Sequence, residues 1–267
     1  MEQITHPNST QTQNDTWLVL KNIHIAHRDK VLLDIEHLQL PKNKLIAFIG
    51  PNGAGKSTLL HSILDQHTGS LTTQGNISAN GEPIQTLVKQ GKIGWVGQHE
   101  RFELPLTVLD YALLGTSPML AWYQRPKANH VQQAQQLLHD FELTHLTTSR
   151  IQTLSGGEKQ RLAVVRALMQ NTNILMFDEP CNHLDIRHQR FLLNYLHQLV
   201  HQQNKSIIVV LHDLTQAHRY TDEVVLLNQG KVVAQGAPET IMTSSQLSTV
   251  YHVDIKVHQT EDGVVFV

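Results

Sequence analysis

The sequence is short of cysteine, of net charge and of long hydrophobic runs, and each shortage excludes a class of protein. Cys181 is the single cysteine among 267 residues, so an internal disulfide is excluded. Lysine and arginine number 21 against 23 aspartates and glutamates, and the resulting formal charge of −2 excludes a generally basic nucleic-acid binder. The apolar runs, such as residues 45–49, fall far short of the roughly 18 residues that a membrane span requires. We therefore expect a soluble, cytosolic chain without a nucleic-acid partner.

Residues 1–16 are polar and rich in Asn, Thr and Gln. They contain no apolar stretch of the kind that a secretory signal peptide needs, and they have too little apolar surface to fold alone. We predict a disordered tail over residues 1–16. At about 150 residues per domain, the remainder holds one or two domains.

Short apolar runs alternate with helical patterns along the rest of the chain. The predicted strands are residues 17–25, 31–40, 45–49, 174–177, 207–211, 224–227 and 231–234. The predicted helices are one that begins after Gly55 and those over residues 107–114, 129–140, 158–169 and 186–201. This alternation indicates an α/β core with a mostly parallel sheet. Residues 100–150 indicate an inserted helical subdomain, and the weak alternation of residues 247–267 indicates one small strand pair.

Residues 50–57, GPNGAGKS, match the pattern G-x-x-x-x-G-K-[ST] between a predicted buried strand and a predicted helix. Glycines let backbone N–H groups turn toward phosphate oxygens without a Cβ clash, and the helix N-terminus adds a partial positive charge. In this pattern Lys56 reaches the β- and γ-phosphates, and the Ser57 hydroxyl is a ligand of Mg²⁺. The predicted phosphate-binding residues are Gly50, Pro51, Asn52, Gly53, Ala54, Gly55, Lys56, Ser57 and Thr58.

Two acidic residues follow the predicted strand 174–177, at the sheet edge where open α/β proteins bind ligands. Asp178 is placed to hold Mg²⁺ through water. Glu179 is placed to polarise the attacking water as a general base. Many strands end in a solvated acidic residue, so this pair alone does not indicate a site. Together with the phosphate loop it does.

Residues 154–158, LSGGE, form a second glycine-rich turn that opens a helix. An ordinary N-cap on Ser155 would explain this turn, yet a single nucleotide needs only one phosphate loop. Here the chain resembles the nucleotide-binding subunits of ATP-binding cassette (ABC) transporters, whose signature is LSGGE. The resemblance implies a P-loop NTPase core with a mostly parallel sheet, an N-terminal antiparallel β subdomain and an inserted α-helical subdomain at about residues 100–160. All of these would lie in one ATPase domain, residues 17–267.

The resemblance assigns further roles, motif by motif. Gln98, in WVGQ, matches the Q-loop, which contacts Mg²⁺. Asp185, in NHLD, matches the D-loop at a dimer interface, and His212, in VLHD, matches the switch histidine near the γ-phosphate. The family pairs two subunits head to tail, with ATP between the phosphate loop of one and the signature of the other. The implied catalytic set is Lys56, Gln98, Glu179 and His212. The residues implied to serve the ATP of a second copy are Ser155, Gly156 and Gly157.

Two positions depart from the family pattern. His27 occupies the place of the aromatic residue that stacks on adenine, so it either stacks with less area or is a plain loop residue. Cys181 occupies a place where threonine is common, and we expect it to pack neutrally and not to act as a redox switch.

Three segments resemble the importer branch for iron-siderophores, haem and vitamin B12: NHLDIRHQ (182–189), YALLG (111–115) and VYHVDI (250–255). They imply ATP-driven uptake of a metal chelate, with iron(III)-siderophore first, cobalamin or haem as close alternatives, and zinc or manganese behind them. The implied partners are a second copy, two permease subunits that dock near Leu113 and, indirectly, a periplasmic or surface substrate-binding protein. The implied location is the cytoplasmic face of the plasma membrane.

Two other classes of function stay open at this point. Soluble ABC ATPases of DNA repair or translation usually carry two cassettes or a long coiled coil, whereas this chain has one cassette and no sustained heptads. A regulatory module without turnover would not need an intact set of Lys56, Asp178, Glu179 and His212.

The 18 histidines suggest metal binding, and His197 and His201 share one face of a predicted helix. The sequence shows no cysteine or carboxylate beside them. We therefore interpret this pair as part of a solvated helix face.

Overall fold

The computed structural model describes residues 16–64, 71–98, 102–121, 123–261 and 263–267. Its strands are β1 (Thr16–His27), β2 (Lys30–Pro41), β3 (Leu45–Ile49), β4 (Leu71–Ala79), β5 (Glu82–Pro83), β6 (Ile93–Val96), β7 (Ile174–Phe177), β8 (Ser206–Val210), β9 (Glu223–Asn228), β10 (Lys231–Gly236), β11 (Val257–Thr260) and β12 (Gly263–Phe266). Its α-helices are α1 (Lys56–Ile63), α2 (Ile84–Lys89), α3 (Val108–Leu113), α4 (Ala128–Asp140), α5 (Gly156–Leu168), α6 (Ile186–Gln203), α7 (Leu214–Tyr220), α8 (Pro238–Ile241) and α9 (Ser244–Tyr251). Short 3₁₀ helices cover Leu114–Met119, Thr144–Leu146 and Ile151–Thr153.

A six-stranded sheet in the order β10-β9-β3-β8-β7-β6 forms the centre of the fold. Its five strands from β9 to β6 run parallel, and β10 closes one edge as an antiparallel hairpin with β9. The strands β3, β7 and β8 are buried along their whole length, because elements cover both faces of a parallel sheet. The α/β fold with a mostly parallel sheet is therefore confirmed.

The two faces of β3 belong to two different hydrophobic clusters. Leu45, Ala47 and Ile49 pack into a core with the helices α3 to α6. Ile46 and Phe48 point the other way, into a core shared with α1 and a second sheet. That sheet is antiparallel, in the order β2-β1-β4-β5. The alternation of side chains along one central strand thus separates a helical layer from a β layer, as the predicted subdomains require.

The chain departs from the predicted elements at several points. The predicted tail 1–16 lies outside the described residues except for Thr16, which is the first residue of β1. Residues 247–251 belong to the helix α9, so only the end of the segment 247–267 forms the expected strand pair, β11 and β12. The sequence pattern does not predict β4, because Leu71–Ala79 is mostly exposed and polar and its place is decided by pairing with β1.

The expectation that no carboxylate lies near His197 and His201 is wrong. Asp222, just before β9, lies beside both side chains. The sequence does not show this contact, because β8 and α7 lie between α6 and Asp222 along the chain.

Among the described residues, we find no helix with both the length and the apolar character that crossing a bilayer demands.

Candidate active site

The loop between β3 and α1 has the backbone that phosphate binding requires. Gly50, Gly53 and Gly55 have positive φ angles of 144°, 79° and 99°. A Cβ on Gly50 would lie 2.1 Å from the carbonyl oxygen of Leu227, so a larger residue would force the loop away from β9. The loop therefore depends on glycine for its conformation and for its close approach to the sheet.

Lys56 is buried at the start of α1, where its ammonium group is held by the loop itself. Its Nζ donates to the carbonyl oxygens of Gly50 at 2.8 Å and Pro51 at 3.1 Å. Burial lowers the pKa of Lys56 below its usual value, and the negative charges of Glu179 and Asp178 offset this only in part. The cation is thus positioned beside the loop, and no carboxylate of the described residues is bonded directly to it.

Ser57 and Asp178 meet where α1 and β7 converge. The Ser57 hydroxyl donates to Oδ1 of Asp178 at 3.0 Å. Asp178 is fully buried, and among the described residues its Oδ2 has no hydrogen-bond partner; Nε2 of His61 is 3.9 Å away. Burial raises the pKa of Asp178, and the hydrogen bond from Ser57 counteracts it in part. A buried carboxylate oxygen without a partner beside a serine hydroxyl fits the oxygen ligands that Mg²⁺ prefers.

Glu179 follows directly and adopts a left-handed backbone, with φ of 53°. Its Oε1 lies 2.6 Å from Nε2 of His212. Its Oε2 accepts from Nε2 of Gln98 at 2.9 Å and from Nδ2 of Asn182 at 2.6 Å. Burial raises the pKa of Glu179, but the hydrogen bonds from His212 and Asn182 outweigh it and leave the pKa below its usual value. The carboxylate is therefore ionised at neutral pH, as a general base must be.

Lys56, Ser57, Glu179 and His212 border one open cavity of 590 Å³. Its lining residues come from the phosphate loop, the ends of β7 and β8, the start of β2 and the turn after β9: Lys30, Val31, Leu32, Asn52, Gly53, Gly55, Lys56, Ser57, Thr58, Glu179, His212, Gln229 and Gly230. The predicted Gln98 reaches this site through its bond to Glu179. The predicted His27 is exposed at the end of β1 and does not line the cavity, whereas Val31 does.

The second glycine-rich turn lies outside that cavity. Ser155 caps α5, since its hydroxyl accepts from the N–H of Glu158 at 3.3 Å while its own N–H donates to the Glu158 carboxylate at 2.7 Å. Ser155 and Gly156 are exposed. A Cβ on Gly157 would lie 2.9 Å from the carbonyl oxygen of His183, so the turn packs closely against the segment before Asp185. None of these residues is near enough to line the cavity of their own chain.

Asp185 is tied to the same turn through a chain of contacts. It caps α6 by accepting from the N–H of His188 at 2.8 Å, and it also lies 2.8 Å from Nδ1 of that side chain. Nε2 of His188 is 2.6 Å from Arg161 on α5. The exposed Asp185 is thereby coupled to the helix that begins at the signature.

Several contributors are not predicted from the sequence. Asn182 holds Glu179, and the turn Gln229–Gly230 closes the cavity, with the N–H of Gly230 donating to Ala54 at 3.0 Å. The hairpin pattern of residues 228–230 is visible in the sequence, but nothing in it shows that the turn packs on the phosphate loop. Cys181 is buried, and burial raises the pKa of its thiol to about 12, which agrees with neutral packing.

Comparison with known proteins gives consistent relatives. Residues 33–182 match the family model described as ABC transporter. The manganese transport system ATP-binding protein MntB of Listeria monocytogenes is 35% identical, and the match covers 87% of this chain and 95% of that protein. The hemin import ATP-binding protein HmuV of Shewanella denitrificans is 34% identical, and the match covers 92% of this chain and 97% of that protein. The ferric enterobactin transport ATP-binding protein FepC of Escherichia coli is also 34% identical, and the match covers 80% of this chain and 79% of that protein.

Solved structures show the same fold. A candidate metal-chelate type ABC transporter in an inward-facing conformation is 27% identical with a TM-score of 0.78, covering 94% of this chain and 96% of that one. A dimeric ATP-binding cassette in a post-hydrolysis state with ADP and phosphate is 25% identical with a TM-score of 0.71, over 83% and 98%. The chain therefore belongs to the ABC transporter family and is an ATP-hydrolysing member of it.

Proposed function

We propose that two copies of this chain hydrolyse ATP at two shared sites and thereby drive a separate permease that imports a metal chelate. The observation that carries the proposal is the division of the site. The cavity beside Lys56 holds one set of phosphate-binding groups, while Ser155 and Gly156 present a second, exposed set elsewhere on the chain. A head-to-tail pair with twofold symmetry would bring each exposed set onto the cavity of the other copy.

In this proposal the phosphate loop binds the nucleotide through its backbone N–H groups and Lys56. Ser57 and Asp178 would hold Mg²⁺, which when bound would supply positive charge to the phosphates. Glu179 accepts the proton of the attacking water, and His212 orients Glu179 and the γ-phosphate. The partner's Ser155 and Gly157 add N–H and hydroxyl donors to the charge that develops on the transferred phosphoryl group.

The contacts of Glu179 suggest how hydrolysis is held back before the copies close. Both carboxylate oxygens have partners, His212 on one side and Gln98 with Asn182 on the other. Glu179 can activate a water molecule only if one of its carboxylate oxygens exchanges its present partner for that water. We infer that ATP-driven closure exchanges one of the contacts for water, with Gln98 as the mobile partner because its side chain is exposed.

We infer that Val31 contributes to recognition of the adenine base, for which the sequence suggested His27. Val31 lines the cavity and is 49% exposed, so it offers an apolar surface to the adenine ring. His27 stays a candidate only if its side chain turns toward the nucleotide.

The helical layer offers the surface on which a permease would dock. A second cavity, of 430 Å³, lies between the end of α3, the following 3₁₀ helix and the segment before α4. Leu113 and Leu114 line it, and Leu114, Met119 and Tyr123 expose 39%, 47% and 69% of their surface. Exposed apolar residues around a cleft are typical of an interface, in agreement with the predicted contact near Leu113. Such docking would place the chain on the cytoplasmic face of the membrane.

The cargo is proposed from relatives, because none of the described site residues would touch it. The named relatives act on ferric enterobactin, hemin and manganese. The resemblance of residues 182–189 and 250–255 to the siderophore branch favours an iron(III)-siderophore. Haem and manganese are the alternatives that relatives support, and cobalamin and zinc follow.

Uptake measurements in a strain that lacks this gene test the proposal. Labelled ferric siderophore, haem and manganese are supplied separately, and the strain is complemented with the wild-type chain or with Glu179→Gln. We expect siderophore uptake to return with the wild type alone. If manganese or haem uptake returned instead, that compound would be assigned as the cargo. If deletion of the gene left the uptake of all three compounds unchanged, the import function would be rejected.

A further inference from the structure

Two imidazoles and a carboxylate converge at the end of the sheet opposite the phosphate loop. His197 and His201 lie four residues apart near the end of α6 and therefore share a face of that helix. Asp222 directly precedes β9, and its backbone and side chain both bond to Leu45, the first residue of β3. The phosphate loop follows the other end of β3, so this cluster is separate from the nucleotide site.

The distances within the cluster are close to those of a metal site. Nε2 of His201 lies 3.1 Å from Oδ1 of Asp222, and the ring centroids of His197 and His201 are 4.2 Å apart. One ligand atom from each of the three residues can be chosen so that all lie within 4.8 Å of one another. A tetrahedral ion with bonds of about 2.0–2.1 Å holds its ligand atoms roughly 3.4 Å apart. The third ligand would have to approach by about 1 Å or somewhat more to reach that distance.

The carboxylate is already oriented for such a role. Oδ2 of Asp222 accepts from the N–H of Leu45 at 2.8 Å, which leaves Oδ1 directed at His201. Bonds of this kind to the second oxygen fix metal-ligating carboxylates in proteins. An ordinary ion pair between His201 and Asp222 would explain two of the three residues but not the placement of His197 beside them. Within the described ranges, no other cluster of three histidine, cysteine or acidic side chains meets the same distance limit.

We propose that His197, His201 and Asp222 bind one divalent transition-metal ion of the Zn²⁺ class, with water completing its coordination. Imidazole nitrogen with a single carboxylate suits Zn²⁺, Ni²⁺ or Cu²⁺, whereas Mg²⁺ and Ca²⁺ prefer oxygen ligands throughout. The bound ion joins the end of α6 to the residue before β9. Along the chain these two elements are separated by β8 and α7. It therefore stabilises the folded chain.

Metal titration of the full-length, untagged chain tests the proposal. The chain is stripped with a chelator, kept free of nucleotide and titrated with Zn²⁺ against a chromogenic competitor. His197→Gln and Asp222→Asn are compared with the wild type, because the amide introduced by Asp222→Asn keeps an oxygen that accepts from the N–H of Leu45. His139→Gln is the matched control, since His139 also lies on a helix beside a carboxylate, 3.4 Å from Asp140.

We expect the wild type and the control to bind one more equivalent of Zn²⁺ than the two test variants, or to bind it at least about tenfold more tightly. At a hundredfold excess over Kd, Zn²⁺ should raise Tm by about 5–10 °C in the wild type and much less in the variants. Co²⁺ bound to the wild type should give a visible absorption spectrum that Zn²⁺ abolishes.

Equal stoichiometry, affinity and Tm response in the wild type and both variants would overturn the proposal. So would the absence of a Zn²⁺-displaceable Co²⁺ spectrum, which needs no variant and therefore decides the matter even where a variant fails to fold. ATP hydrolysis does not enter either measurement, so the result is independent of the proposed function.

Discussion

Nε2 of His212 lies 2.6 Å from Oε1 of Glu179, although 33 positions separate the two residues in the sequence (212 − 179). Glu179 follows β7 and His212 follows β8, and these two strands are parallel neighbours. The carboxyl ends of parallel strands meet at one edge of the sheet, which is where the proposed base and its orienting histidine are needed. The pairing of two central strands therefore assembles this half of the candidate site.

Replacing Glu179 by Gln should abolish hydrolysis while leaving ATP binding intact. The amide keeps the shape and most contacts of the side chain, but it cannot accept a proton from water. A general base contributes about 10²–10⁴-fold, so phosphate release should fall by at least about 10²-fold. Phosphate release and equilibrium binding of labelled ATP measure the two properties separately. Normal turnover in this variant would contradict the assignment of Glu179 as the base.

Replacing His212 by Ala should shift the acid limb of the activity profile to higher pH. His212 is among the groups that hold the pKa of Glu179 below its usual value, against the effect of burial. Without it the pKa of Glu179 rises, and the ionised base is lost at a higher pH as the solution is acidified. The measurement is the residual rate of phosphate release against pH. His258→Ala, at an exposed position in β11, should leave the profile unchanged. If H212A lost the same fraction of its rate at every pH, His212 would not act by lowering the pKa of Glu179.

Replacing Asp178 by Asn should stabilise the nucleotide-free chain while removing Mg²⁺-dependent hydrolysis. Burial raises the pKa of Asp178, so the folded chain binds its proton more tightly than the unfolded chain. The ionised carboxylate therefore lowers stability above that pKa, and this cost disappears as pH falls. We expect Tm to rise at pH 7, by about 2–4 °C for each kcal/mol recovered, and the gain to shrink in acid.

The matched control for Asp178 is Asp185→Asn. The backbone N–H of His188 lowers the pKa of the exposed Asp185, so its ionised form stabilises the cap. The same chemical change should therefore lower Tm slightly at pH 7. Calorimetry at several pH values measures both variants, and equal signs for the two would contradict the role of burial.

Mixing two inactive variants should restore hydrolysis if the site is shared between copies. Lys56→Ala disables the cavity of its own chain, and Ser155→Arg disables the signature offered to the partner. Each alone should lose at least about 10²-fold of the rate. In the mixed dimer one site combines both lesions, while the other pairs an intact cavity with an intact signature. Phosphate release should therefore recover on mixing.

The control for this experiment is Thr148→Arg, an exposed position outside the signature turn, which should be active alone. Full activity of S155R alone would show that each chain works without the signature of a partner. If both variants are inactive alone, failure of the mixture to recover would contradict a site shared between copies.

Most of the central fold is predictable because its strands are apolar throughout. The run 45–49 is apolar at every position and is buried at every position, as a strand covered on both faces must be. The strand β4 is not predictable, because Leu71–Ala79 carries little apolar signal and is placed by its partner β1. The helix α9 escapes prediction for a related reason, since a short segment such as Ser244–Tyr251 fits either a helical or a weakly alternating pattern.

The sequence by itself determined the chemistry of the phosphate loop, because GPNGAGKS needs only local backbone geometry and one lysine to bind an anion. It likewise determined the signature turn, through a capping box formed by Ser155 and Glu158 within one stretch of chain. Tertiary structure alone decided that His212 contacts the carboxylate of Glu179, that Val31 and not His27 lines the cavity, and that Asp222 lies beside two histidines. The physical reason is that these contacts depend on how strands and helices from distant parts of the chain pack together, which brings side by side residues that no local pattern connects.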